Sequence, residues 1–94
     1  MTTPLSIDET STPRLAGHVT MRFDEHRDRW VILAPERVLM LDEIAVEILK
    51  RCEGGSVAEI VDDLAQTFDA PRADIAGDVI AMLQSLADKG VVTA

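Results

Sequence analysis

The chain has 94 residues, an apolar fraction of 47%, one Trp, two Phe, no Tyr, and a net charge of −8. That is enough for one small domain with a thin, mainly aliphatic core. Residues 1–41 hold five basic against six acidic residues and residues 42–94 four against eleven; so acidic a half repels phosphate backbones and anionic lipid surfaces, which counts against nucleic-acid and membrane partners.

Residues 1–16, MTTPLSIDETSTPRLA, are rich in Thr, Ser and Pro and poor in large apolar side chains. They read as a flexible leader or an interdomain linker, with the folded domain expected over residues 17–94. There is no apolar h-region near the start and no apolar run near 18 residues, so a cytoplasmic location is the expectation.

Three strands are expected first. In HVTMRFD, Val19, Met21 and Phe23 alternate with Thr20 and Arg22, the pattern of a half-buried strand. DEHRD then reads as a polar turn. Trp30 and Ile32 alternate with Val31 and Leu33, so the second strand is apolar on both faces, as a central strand would be. Pro35 fits the second position of a turn Ala34-Pro35-Glu36-Arg37, with Glu36 favouring type I, and Arg37 to Leu41 form the third strand.

Three helices follow. Asp42 is a suitable N-cap, and Ile44, Ala45, Ile48, Leu49 and Cys52 recur at helical spacing, with Glu47 and Arg51 placed to pair. Gly54-Gly55 ends that helix. Ser56 and Glu59 form a capping box before a stripe of Val57, Ile60, Val61, Leu64, Ala65 and Phe68. Pro71 suits the first position of the third helix, whose core stripe is Ile75, Val79, Met82, Leu83 and Leu86, closed by Lys89 and Gly90. Ala76, Ile80, Leu83 and Ala87 widen its apolar arc beyond what a surface helix needs, room for a groove wall. The order β-β-β-α-α-α gives an α+β domain of winged helix-turn-helix type.

The residues offer little for catalysis. His18, His26 and Cys52 are too dispersed for a metal site. Cys52 lies on an apolar helix face near a C-terminus, where the helix dipole disfavours a thiolate. Gly54-Gly55 lacks the Gly-Lys-Ser/Thr of a phosphate loop. Asp62-Asp63 read as a solvated face. No enzyme and no cofactor is expected. A winged helix raises DNA binding as an alternative, but Asp69, Asp74, Asp78 and Asp88 outweigh Arg72 and Lys89 around the third helix. Dimerisation, or tethering of a fused enzyme, is a further alternative.

A partner chain remains. The third strand either offers an open edge to an incoming strand, or Val38 to Leu41 simply lead core residues into the first helix; periodicity does not separate the two. Here a resemblance enters. RWVILAPERVLMLDEIAVEILKRCEGG, followed by LQSLADKGVV, resembles the PqqD family of pyrroloquinoline quinone (PQQ) biosynthesis from about residue 15 onwards. Arg29-Trp30-Val31, Leu33-Ala34-Pro35-Glu36-Arg37, Leu41-Asp42, Cys52-Glu53-Gly54 and Leu86-Ala87-Asp88-Lys89-Gly90 carry the likeness, with Glu53 standing where the family often has Asp.

The resemblance implies a non-catalytic peptide chaperone, a recognition element of the kind found across ribosomal peptide modification pathways. Such a protein binds the precursor peptide PqqA and presents it to the radical S-adenosylmethionine enzyme PqqE; some members are fused to another pathway enzyme. The peptide adds as a strand to the third strand beside the third helix. Carried onto this chain, the peptide-binding residues are Arg37, Val38, Leu39, Met40 and Leu41 with Ala76, Ile80, Leu83 and Ala87. Arg27 and Arg29, and the acidic Glu59, Asp62 and Asp63, are candidate partner contacts. Trp30, Leu33 and Pro35 are assigned to structure.

Overall fold

The structure, a computed structural model, describes residues 6–35, 37–52 and 54–94. The elements are β1 (Arg14–Leu15), β2 (Thr20–Asp24), β3 (Arg29–Ala34), β4 (Arg37–Met40), α1 (Glu43–Lys50), α2 (Val57–Thr67), α3 (Arg72–Asp88) and β5 (Val92–Thr93). The three strands expected from the sequence are β2, β3 and β4, antiparallel and in that spatial order, followed by the three helices. The turn type expected at Glu36 lies outside the described residues.

A central strand must hide both faces, and β3 does: Val31 is 1% and Ile32 0% exposed. The row Met21–Ile32–Leu39 packs on the helices, while Arg22–Val31–Met40 lies on the other face of the sheet. Between β2 and β3, the Asp24 carboxylate accepts the backbone N–H groups of His26 and Arg27 and pairs with the Arg27 guanidinium, which closes the polar turn.

Two of the helix starts carry the caps their sequences predict. Asp42 caps α1, its carboxylate accepting the Ala45 N–H at 2.7 Å. α1 ends earlier than expected, at Lys50 with Arg51 as its C-cap, and Gly54, at φ +98°, takes the left-handed conformation in the turn beyond it. Both halves of the Ser56–Glu59 capping box form at the start of α2. Pro71 stands one residue earlier than expected, as the N-cap of α3. Ile32, Ile48, Val57, Val61, Val79 and Leu83 are the centre of one core shared by sheet and helices.

The described part of the segment expected to be a linker departs from that reading. Residues 6–16 pack on the domain: Ile7 is buried in the core, and β1 pairs antiparallel with β5 through Arg14–Thr93 and Leu15–Val92. The carbonyls of Ser11 and Glu9 accept the Val57 and Ala58 N–H groups at 2.8 and 3.0 Å. Those are first-turn donors of α2, which have no partner inside the helix. Main-chain carbonyls do this work, so the Thr- and Pro-rich composition gives no sign of it. The two-stranded β1–β5 sheet was likewise not expected, since two residues carry no readable alternation.

Candidate functional site

Among the described strands, β4 pairs with β3 alone. The ladder runs on past its end, with the Leu41 N–H donating to the Trp30 carbonyl at 3.0 Å. In an antiparallel pair, directly opposed residues alternate between exchanging both backbone bonds and exchanging none. Leu41 and Trp30 are a bonded position, and so are Leu39 with Ile32 and Arg37 with Ala34. Val38 and Met40 therefore turn their N–H and C=O groups to the outer edge. Their side chains are 47% and 58% exposed, while Leu39 packs against the core and Leu41 is buried.

On α3, the arc expected as a groove wall lies against the body of the domain. Leu83 is 0% exposed, and Ala76, Ile80 and Ala87 are half-buried against the core cluster. Leu83 thus supports the helix from behind and presents no free surface. The open side of α3 carries Ile75, Asp78, Ala81, Met82 and Ser85. Together with Asp42, Ile44, Glu47, Ile48, Leu64, Phe68 and Val79, these residues line a groove of about 520 Å³ between the three helices. Sequence periodicity put Ile44 and Phe68 in core stripes, yet they are 50% and 48% exposed. Ile44 is the second residue of α1 and Phe68 the C-cap of α2, positions where a helical stripe runs beyond the element that covers it.

A neighbouring groove shares Asp42, Ile44, Glu47 and Phe68 and reaches across to Phe23, Arg27, Arg29, Trp30 and Lys50. Trp30 and Phe23 meet edge to face with centroids 5.8 Å apart, and the Lys50 ammonium sits 5.2 Å from the Trp30 ring centroid. The Arg29 guanidinium reaches the Leu41 carbonyl at 3.4 Å, and Arg27 is held by Asp24. The two candidate arginines are therefore brought together at one end of the sheet, beside the start of α1.

The acidic candidates on α2 are already engaged. Glu59 completes the capping box, Asp62 pairs with Arg72, and Asp63 pairs with Arg51, which also holds Glu47 at 2.8 Å. Arg72 reaches Glu9 as well, so these pairs tie the helices and the N-terminal segment together. Hydrogen bonds donated by Arg51 to Glu47 and Asp63 raise the Arg51 pKa, and the bond from Arg51 lowers that of Glu47. Cys52 is buried, its thiol donating to the Ile48 carbonyl at 3.3 Å. No described helix is long and apolar enough to cross a membrane.

Residues 29–92 match the family model of Coenzyme PQQ synthesis protein D (PqqD). The "PqqA binding protein" of Rhodopseudomonas palustris (strain HaA2) is 61% identical over 90 residues, covering 95% of this chain and 88% of that one. The solution structure of the PqqD truncation of Methylobacterium extorquens PqqCD, a stand-alone RiPP recognition element, superimposes with a TM-score of 0.84 at 42% identity, covering 97% of this chain and 98% of the other. Lasso peptide synthetase B1, solved in complex with its leader peptide, has the same fold at a TM-score of 0.77 and 22% identity, covering 89% of this chain and 100% of the other.

Proposed function

The chain belongs to the PqqD family, and from that premise we propose that it is a non-catalytic carrier that binds the precursor peptide PqqA and presents it to the radical S-adenosylmethionine enzyme PqqE. A relative 61% identical bears the name PqqA binding protein, and a 42% identical structure is described as a recognition element for such peptides. Both support the peptide-binding role.

The observation that carries the mode of binding is the outer edge of β4. Val38 and Met40 have backbone groups directed away from β3, with no described strand to receive them. An incoming extended peptide satisfies such groups by adding as the next strand. Arg37, Leu39 and Leu41 hold β4 to β3 in this reading. Ala76, Ile80 and Ala87 on the half-buried flank of α3 meet the peptide's apolar side chains, with Leu83 fixing the helix behind them. Arg27 and Arg29 face carboxylates of the peptide or of the enzyme.

Titration of the isotope-labelled domain with PqqA tests this. Backbone amide shifts are expected in residues 36–42 and 76–87. Shifts confined to α2, or none, would overturn it.

A further inference from the structure

We infer that residues 6–12 form an autoinhibitory strap, which closes over one flank of α3 and lifts when a peptide takes that flank. This rests on the strand-addition reading of β4 and α3. The Ile7 N–H places the end of the strap, donating to the Gln84 side-chain carbonyl at 2.9 Å. Gln84 stands four residues after Ile80 and three before Ala87, so the three share one helix face. Ile7 is 6% exposed and belongs to the same apolar cluster against which Ile80 and Ala87 are half-buried. The strap thus sits on the flank of α3 that the apolar side chains of the peptide need.

The attachments of the strap suit release. Pro13 is fully buried and β1 is paired with β5, which sets the hinge. On the strap itself, the Asp8 carboxylate accepts the Thr10 N–H at 2.9 Å and the Thr10 hydroxyl at 2.6 Å, a local turn that survives lifting. The Ser11 and Glu9 carbonyls serve Val57 and Ala58, first-turn donors of α2 that water serves equally well. The partly exposed Glu9–Arg72 pair adds little. Within the strap only Ile7 is buried, and a peptide side chain laid against Ile80 and Ala87 replaces that contact. A closed strap lowers the apparent affinity for peptide to the fraction of molecules that are open, so loosening the strap raises it.

The full chain, isotope-labelled, is titrated with PqqA. Besides the amides of β4, those of Ile7, Glu9, Val57 and Ala58 should shift, and Val57 and Ala58 should exchange with solvent faster in the complex than in the free protein. Ile7→Ala should tighten PqqA binding by about threefold or more. Glu9→Gln, which removes no buried side chain and decides the matter should Ile7→Ala not fold, should tighten it by less. Shifts at Val38 and Met40 with the strap amides unmoved and Val57 and Ala58 still protected would overturn the inference and leave strand addition standing. So would unchanged or weaker binding by the folded variants. No shift anywhere on β4 would overturn strand addition itself, and the role of the strap with it.

Discussion

The Leu41 N–H donates to the Trp30 carbonyl, and this one bond fixes which backbone groups of β4 are free. Leu39 faces β3; Val38 and Met40 face outward. Proline substitutions should therefore separate by parity. Val38→Pro or Met40→Pro removes an outward N–H, which an edge strand tolerates, and should weaken peptide binding by the value of one hydrogen bond, about 0.5–1.5 kcal/mol or roughly two- to tenfold. Leu39→Pro removes a ladder bond and should lower unfolding free energy by about 1–3 kcal/mol. Calorimetric peptide titration beside urea melts reads the two effects apart.

Trp30 is half-buried, with its ring edge to face against Phe23 and under Lys50. Full burial would put Trp30→Ala at about 3–5 kcal/mol; with part of the ring already in water, a loss of about 2–3 kcal/mol is expected. Lys50→Met should cost about 0.5–1 kcal/mol, and nothing further once Trp30 is Ala. A double-mutant cycle in urea checks both values.

How far these features were legible depends on what encodes them. Side-chain signals read directly: the double-faced apolar run of β3, the Asp42 cap, the Ser56–Glu59 box and the Glu47–Arg51 spacing all appear in place. The packing of residues 6–16 was hidden because it rests on main-chain carbonyls and a two-residue strand. The open side of α3 was hidden for a different reason. A broad apolar arc tells how much of a helix is buried, and only its neighbours decide which edge of the arc stays open. Here Ile75, Ala76, Ile80, Met82 and Ala87 are all half-buried against the core, and Ile75 and Met82 also line the groove between the helices.

Cys52 should behave as a core residue. Burial pushes its thiol up to about 11 from an ordinary value of 9.0. The native protein should resist thiol reagents at pH 8 and label only as it unfolds. The linkage has a definite sign. With its pKa raised in the folded state, the thiol ionises first in the unfolded chain and draws the equilibrium towards unfolding, so stability is unaffected below about pH 9 and falls as pH rises through about 11. Cys52→Ala should flatten that alkaline limb in urea melts collected against pH.

The acid limb should report the Arg51 junction between α1 and α2. The hydrogen bond from Arg51 is the first cause of the lowered Glu47 pKa, and the charge of Arg51 adds to it. A carboxylate depressed in the folded state stabilises above its unfolded pKa, near about 4.3, and that stability is lost as pH falls through the lower folded value. Glu47→Gln should leave the acid limb shallower, and added salt should have the same effect on the wild type.

The last prediction concerns the N-terminal segment. If residues 1–12 were a tether, their removal would leave stability unchanged. Instead Ile7 is 6% exposed in the core, and Ser11 and Glu9 satisfy two first-turn donors of α2. Glu9 also pairs with Arg72 on α3. Burial of an Ile side chain contributes about 1.5–3 kcal/mol and each hydrogen bond about 0.5–1.5 kcal/mol, the exposed ion pair adding little. A chain beginning at Pro13 should therefore be less stable by about 2–4 kcal/mol, since water takes over part of the freed hydrogen bonding at α2. Ile7→Ala in the full chain should reproduce most of that loss without changing the backbone bonds, and Ser11→Ala almost none of it, because the Ser11 carbonyl makes the contact. Urea unfolding of the three chains separates a packed segment, in which the truncation and Ile7→Ala move together, from a free one, in which neither moves.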